Sequence, residues 1–443
     1  MSETALRPPA KEPLTPYQRF VVFAAWLGLG FDLMDSLLFN FVAPIAVPAL
    51  LGLQAGSPEA KTATGFWNGV LTSVMLLGWA IGGVVFGKLS DRIGRTRTVI
   101  FTMLLFSCGT AACALAPSMG LLILFRFLTA LGIGGEWGAG ATLVAETVPE
   151  SRRVEMGALL FTSAPVGVFI AIGANRLFTS EISSIASNPN LSWRAVMACG
   201  AVPAVIALAV RSKLKEPEHF AKPVAGPRGS ILSLFRPALL RRTLGGLTVT
   251  TTALLTFWVS SAFLPTIATF LADELQPKPA PQDLPGVRAG LVTLVMMSFN
   301  IGGLIGSLLA APVALRAGRR PLFLSVFGWS ALGLLLAFGP TWSPSVRLVL
   351  VGVFSISAYG VFGAFQFYLP ELFPARVRGT GLGFCLNVGR FLTVPGPFLV
   401  GLIAKRGVPV LDVMRWLAVV PALGFVLLLL GLGVETKDQP LVD

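Results

Sequence analysis

Asp91-Arg92-Ile93-Gly94-Arg95 returns half a chain later as Leu315-Arg316-Ala317-Gly318-Arg319. Each pentapeptide follows an apolar run of roughly twenty residues, long enough to cross a bilayer as a helix. A second pair keeps almost the same spacing: Glu146-x-x-Pro149-x-x-x-Arg153 and Glu371-x-x-Pro374-x-x-x-Arg378. Two loop motifs recurring together mark an internal duplication. The chain therefore reads as an all-α polytopic membrane protein of twelve transmembrane helices in two six-helix pseudo-repeats. Parallel repeats of this kind, with a substrate site near the bilayer midplane between them, are a transporter arrangement.

Composition agrees. Of 443 residues, 54% are hydrophobic and 12% charged, against about a quarter charged in soluble domains, and the mean hydropathy is +0.78. A soluble enzyme, a secreted disulfide scaffold and a disordered chain are excluded. The spans are expected at 20–46, 65–87, 98–116, 120–145, 156–178, 193–211, 244–271, 289–315, 321–339, 346–369, 379–403 and 412–434. They divide the chain into a tail (1–19), a first half (20–211), a linker (212–242), a second half (243–435) and a second tail (436–443). The first nineteen residues lack the apolar core and cleavage motif of a signal peptide.

The net charge is +13, which in a soluble protein points to nucleic acid. Here about two thirds of the lysines and arginines fall on one side once the N-terminus is placed inside, and that bias is topological. Both termini are expected to be cytoplasmic, and no nucleic-acid partner is needed. Cys108, Cys113, Cys199 and Cys385 all lie in apolar stretches and are expected as packing thiols. The one histidine, His219, lies in the polar linker, so no intramembrane histidine relay is available.

The run Gly87-Lys-Leu-Ser-Asp91-Arg92-Ile-Gly94-Arg95-Thr-Arg97 resembles the signature loop of the major facilitator superfamily. Arg126 followed by Gly132-Ile-Gly134-Gly135-Glu136 resembles its fourth-helix motif. Phe31-Asp32-Leu-Met-Asp35, then Phe41-Val-Ala-Pro44, is similar to the first helix of the aromatic-acid:proton symporters, with Leu33 where that pattern has glycine. Gly135-Glu136-Trp137-Gly138 looks more like the metabolite:proton and sialate:proton symporters. Pro370-Glu371-Leu-Phe-Pro374 through Gly379-Thr380-Gly381-Leu-Gly383 to Arg390 resembles the sugar-porter and organic-ion branches. The resemblance implies that Asp91, Arg92, Arg95, Glu146, Arg153, Glu371 and Arg378 are gating residues, pairing charges at the cytoplasmic rim. Leu315 replaces the aspartate of the second loop, so this latch is expected to be asymmetric. In organic-anion carriers an arginine at the position of Arg390 accompanies anionic substrates.

Charges in the bilayer core cost on the order of 2.5–3.5 kcal/mol each and need a reason. Five fall well inside spans. Asp32 and Asp35 share one face of the first helix, roughly 18–22 Å from its cytoplasmic end. Crowded carboxylates do not both ionise easily, which suits proton coupling; neutralisation by Arg126 is the structural alternative. Arg126 needs an anionic partner and either holds a first-span carboxylate or modulates proton release. Glu136 either handles protons or makes a buried structural hydrogen bond, among glycines that permit close helix packing. Arg390, with Asn387 on the same face, has no acid deep in its own half. A substrate carboxylate supplies one, as does Asp32 or Asp35 across the cleft. Asn300, Gln366 and Tyr359 are weaker substrate-binding candidates, Phe365 and Trp258 weaker still. Pro44, Pro48, Pro165, Pro203, Pro265, Pro395 and Pro397 are expected to kink their helices.

The expected function is proton-coupled symport of a small organic anion, a mono- or aromatic carboxylate, by alternating access. The alternatives are a proton-coupled exporter of cationic or amphipathic drugs, or a sugar or metabolite carrier. No enzyme is expected, since no embedded Ser/His pair or metal-ligand cluster is present. The proton is the coupling ion, with no other cofactor and no metal. The expected partners are a small anionic molecule and the lipid bilayer. The expected state is a monomer in a bacterial inner membrane.

Overall fold

Thr15 starts the first helix. Its hydroxyl accepts from the Gln18 backbone N–H at 3.2 Å, the Gln18 side chain accepts from the Thr15 N–H at 2.9 Å, and Pro16 sits at the first helical position. From there the chain runs as α1 (Pro16–Leu51), α2 (Pro58–Ile93), α3 (Arg95–Leu115), α4 (Met119–Thr147), α5 (Ser163–Arg176) and α6 (Pro189–Cys199). After the linker come α7 (Pro237–Asp273), α8 (Leu284–Ala317) and α9 (Arg319–Ala337). The last three spans are broken into α10a (Pro344–Ala358) and α10b (Phe362–Glu371), α11a (Arg378–Thr393) and α11b (Pro395–Lys405), α12a (Val410–Trp416) and α12b (Val419–Leu427). This computed structural model describes residues 12–93, 95–149, 152, 156, 159–201, 231–273, 275, 279–280, 283–339, 342–374 and 377–437. Side chains are described for these except 87–88, 90–93, 95–96, 99, 136–143, 145–146, 366 and 379.

Among the described residues nine helices are long and apolar enough to cross a membrane, and Ile100–Leu115 and Met119–Gly135 are shorter apolar helices. The duplication seen in the sequence reappears in the packing. In the first half α1 packs on α5 and α6, α2 on α4, and α3 on α4 and α6; in the second, α7 packs on α11a and α12b, α8 on α10a, and α9 on α10a and α12b. Between halves α2 meets α11, α5 meets α8, and α1 meets α7. The first two contacts exchange when the halves exchange, as a parallel repeat requires.

The helices overrun the expected spans. α2 starts at Pro58 and runs to Ile93, and α7 starts at Pro237, inside the predicted linker. Hydropathy marks the lipid slab, and a helix satisfies its own backbone beyond it. Residues 202–230, with His219 and Pro203, lie outside the described residues. α1 passes through Pro44 and Pro48, and α7 through Pro265, without ending, whereas Pro395 follows the break between α11a and α11b. A short helix at Ser183–Ala186 connects α5 and α6. The thiols correct one expectation: Cys113 and Cys385 are buried, but Cys108 of α3 is exposed.

Small residues set the closest approaches. A methyl group on Gly134 would overlap the Trp79 carbonyl oxygen, so α4 and α2 touch only because no side chain intervenes.

Candidate functional site

α1 carries its two aspartates at mid-length, each 1% exposed. Arg126 of α4, 2% exposed, donates from Nη1 to Asp35 Oδ2 at 2.9 Å. Its Nη2 donates to the Asp35 and Ser36 carbonyl oxygens at 3.0 and 2.8 Å. Thr110 of α3 donates to Asp35 Oδ1 at 3.0 Å. One carboxylate thus gathers three helices, and the guanidinium is anchored to backbone as well as to charge. Asp35 is committed to Arg126, which removes it as a partner for Arg390. Asp32 lies one turn along the same face.

Arg390 sits at the seam between the halves, 4% exposed. Its guanidinium carbon lies 4.4 Å from the centre of the Trp79 ring, and Nη1 donates to Asn387 Oδ1 at 3.4 Å. Trp79 belongs to α2, in the other half, so an arginine of one repeat rests on an aromatic face of the other. Trp79 meets Trp258 of α7 edge-on, centroids 5.5 Å apart. Phe257 links Trp258 to Tyr359, at 5.2 and 4.9 Å, and Phe161, two residues before α5, stacks on Phe362 at 6.0 Å. From Trp79, against Arg390, a chain of rings thus runs through Trp258 and Phe257 to Tyr359, crossing from one half to the other. The Trp79 indole N–H and the Tyr359 hydroxyl are buried and make no hydrogen bond with the described residues.

Asn300 is engaged structurally. Its Nδ2 donates to the Pro165 carbonyl at 2.9 Å, joining α8 to α5. The same holds for two residues that the spacing did not single out: Asn68 donates to the Ala262 carbonyl at 2.7 Å, and Ser73 to the Val394 carbonyl at 2.6 Å. Both close the seam in the half of the bundle away from the termini. At that far end, Asp273 of α7 takes Arg288 of α8 at 2.6 Å and Lys61 of α2 at 3.3 Å, tying the two repeats by charge. Phe365 lies in the core of the second half.

The gating candidates divide. The side chains of Asp91, Arg92, Arg95, Glu136, Glu146 and Gln366, and all of Arg153, lie outside the described residues. Glu371 pairs within its own half: Arg319 Nη2 and Nε reach its two oxygens at 2.8 and 3.1 Å. Arg378 donates from Nε to the Pro370 and Phe373 carbonyls at 3.2 and 3.3 Å. The acid missing at Leu315 is supplied by the C-terminal segment. Glu435 accepts from the backbone N–H groups of Arg319 and Arg320 at 2.9 and 3.0 Å, capping α9 where a negative charge is favoured. Gly318 makes the approach possible, with φ +103° and no room for a methyl group beside Glu435.

Partial burial raises the Glu435 pKa, and its backbone N–H donors (Arg319, Lys437, Arg320, Thr436) outweigh that and hold it below the ordinary 4.5. A depressed carboxylate stabilises above its unfolded value and loses the benefit as pH falls through its folded value. Glu435→Gln should therefore cost about 1 kcal/mol at neutral pH, as the loss of a charged cap does. The cost should vanish below pH 4.5, read as the difference between thermal melts of the purified protein at the two pH values.

The residues 37–222 match the family model described as sugar (and other) transporter. The chain is 30% identical over 390 residues to the inner membrane metabolite transport protein YhjE of Escherichia coli, covering 84% of each chain. It is 29% identical over 400 residues to a probable 4-methylmuconolactone transporter of Cupriavidus pinatubonensis, covering 88% of this chain and 85% of the relative. The crystal structure of a D-xylose-proton symporter superposes with a TM-score of 0.75 at 17% identity, over 96% of this chain and 98% of that one. Nine membrane-length helices among the described residues, a duplicated packing plan and these likenesses lead to one assignment: the chain belongs to the sugar (and other) transporter family of the major facilitator superfamily and is a membrane transporter, not an enzyme.

Proposed function

We propose that this transporter carries a small organic anion, a mono- or aromatic carboxylate, in symport with protons. The observation that carries the reading is Arg390 buried at the seam, stacked on Trp79 of the opposite half. A guanidinium in that position offers a carboxylate paired N–H donors, and the rings of Trp79, Trp258 and Tyr359 suit a flat, unsaturated body. A ligand held there touches both repeats, so its binding free energy differs between the two ends of a rocking cycle. A cationic cargo would meet a buried positive charge and pay for it. The Cupriavidus relative is named a probable 4-methylmuconolactone transporter.

Proton coupling is assigned to the Asp32/Asp35 pair with Arg126. Protonating Asp35 would remove one charge from a buried ion pair, while the Asp35 and Ser36 carbonyls keep Arg126 in place. The pair can therefore open without moving the arginine. The lysine and arginine bias puts the termini inside, and the closed far end with its Lys61–Asp273–Arg288 cluster then faces out.

Competition tests the cargo. Uptake of labelled benzoate by the full chain in liposomes should be inhibited by other small carboxylates, and left alone by xylose or tetraethylammonium. Inhibition by the cation with none by carboxylates would overturn the assignment.

A further inference from the structure

A cavity of about 560 Å³ opens at the far end of the bundle, away from Arg390, between α1, α5, the α5–α6 connection and the α7–α8 corner. Its size is that of a small-molecule site. α1 contributes Phe41 and Pro48, an apolar wall. The polar groups opposite include one guanidinium and the amides of three asparagines. Among the described residues Arg288 is the charged one in the wall, and it shares the Asp273 carboxylate with Lys61. Asn188 Oδ1 accepts from the backbone N–H groups of Asn190 and Leu191, and Asn190 Oδ1 from the Trp193 indole N–H. Each of these two side chains also carries an amide N–H group. Asn175, 3% exposed, brings a third amide to the wall, and its Oδ1 accepts from no described residue.

We infer that this cavity is a second binding site for a small organic carboxylate, with Arg288 and the asparagine amides taking the carboxylate and the α1 wall its apolar body. The choice of benzoate as probe rests on the cargo reading above; the site itself does not use Arg390. A carboxylate held by Arg288 would be bound here before the seam opens. A carboxylate on Arg288 also competes with Asp273, the residue that ties the two halves at this end.

The test is protection from labelling. In the full chain carrying Arg390→Ala and Asn190→Cys, purified in detergent, a charged maleimide modifies residue 190 over the background of the native cysteines. Benzoate at about ten times its half-saturating concentration should slow that reaction about tenfold. Protection should disappear when Ala49→Trp fills the cavity, and weaken in Arg288→Gln, which leaves the cavity open. Unchanged labelling with benzoate in the Arg390→Ala background would overturn the second site. Protection that survives Ala49→Trp and Arg288→Gln would overturn it too. If Arg390→Ala leaves uptake intact, the cargo reading at the seam fails while this site stands on its own result.

Discussion

Replacing Arg126 with leucine should lower the stability of the purified protein by about 3–5 kcal/mol, the scale seen when one partner of a buried ion pair is removed. The cost arises because Asp35, 1% exposed, is left as a buried carboxylate with Thr110 as its remaining side-chain donor. Asp35→Asn should cost less. The guanidinium it leaves behind still donates to the Asp35 and Ser36 carbonyls, and an amide oxygen can accept from Nη1. The double variant Arg126→Leu/Asp35→Asn should recover part of the loss, since no unbalanced charge remains. A double-mutant cycle on thermal melting measures this coupling directly. Additive losses would show that the two residues do not act as a pair. Transport should fall in all three variants while binding at Arg390 persists, which separates coupling from recognition.

Arg390→Ala should raise the half-saturating benzoate concentration by the equivalent of about 2–5 kcal/mol, the loss expected on truncating a buried charge partner. The Arg126–Asp35 pair stays closed in that variant. Arg390→Lys should rescue only partly. An ammonium keeps the charge and loses both the planar stack on Trp79 and the paired donors. Trp79→Ala should then weaken binding by a smaller amount, about 0.5–2 kcal/mol, as removal of a cation–π partner does. An unchanged half-saturating concentration in Arg390→Ala would mean that the arginine serves packing alone.

The fold was legible because each span writes its own apolar run, and because Arg92, Gly94 and Arg95 reappear as Arg316, Gly318 and Arg319. What the apolar runs do not record is where a helix stops once it leaves the lipid. That is why α2 and α7 extend beyond their predicted ends, and why the breaks after Ala358 and Trp416 carry no proline signal. The intramembrane charges were equally plain, since each is costly in isolation. Their partners were not, because helical spacing gives the face of a residue and says nothing about the helix opposite. Trp79 is one of 9 tryptophans and acquires meaning only when α11 brings Arg390 against it. Thr110 and the Lys61–Asp273–Arg288 cluster are hidden in the same way. Glu435 did leave a trace. Leu315 stands where the first repeat has Asp91, and a missing acid at a helix start asks for one from elsewhere. For Asn300 the sequence offered both a substrate contact and a bond to an adjacent helix, and its Nδ2 makes the second, to the Pro165 carbonyl.

The central claim is that a carboxylate and a proton cross together. The full chain reconstituted into liposomes around a pH-sensitive dye, with benzoate added outside, tests it in one trace. The account predicts acidification of the interior that is lost in Arg390→Ala and in Asp35→Asn. Benzoate uptake with no change in internal pH, or alkalinisation driven by an organic cation and indifferent to Arg390→Ala, would contradict it.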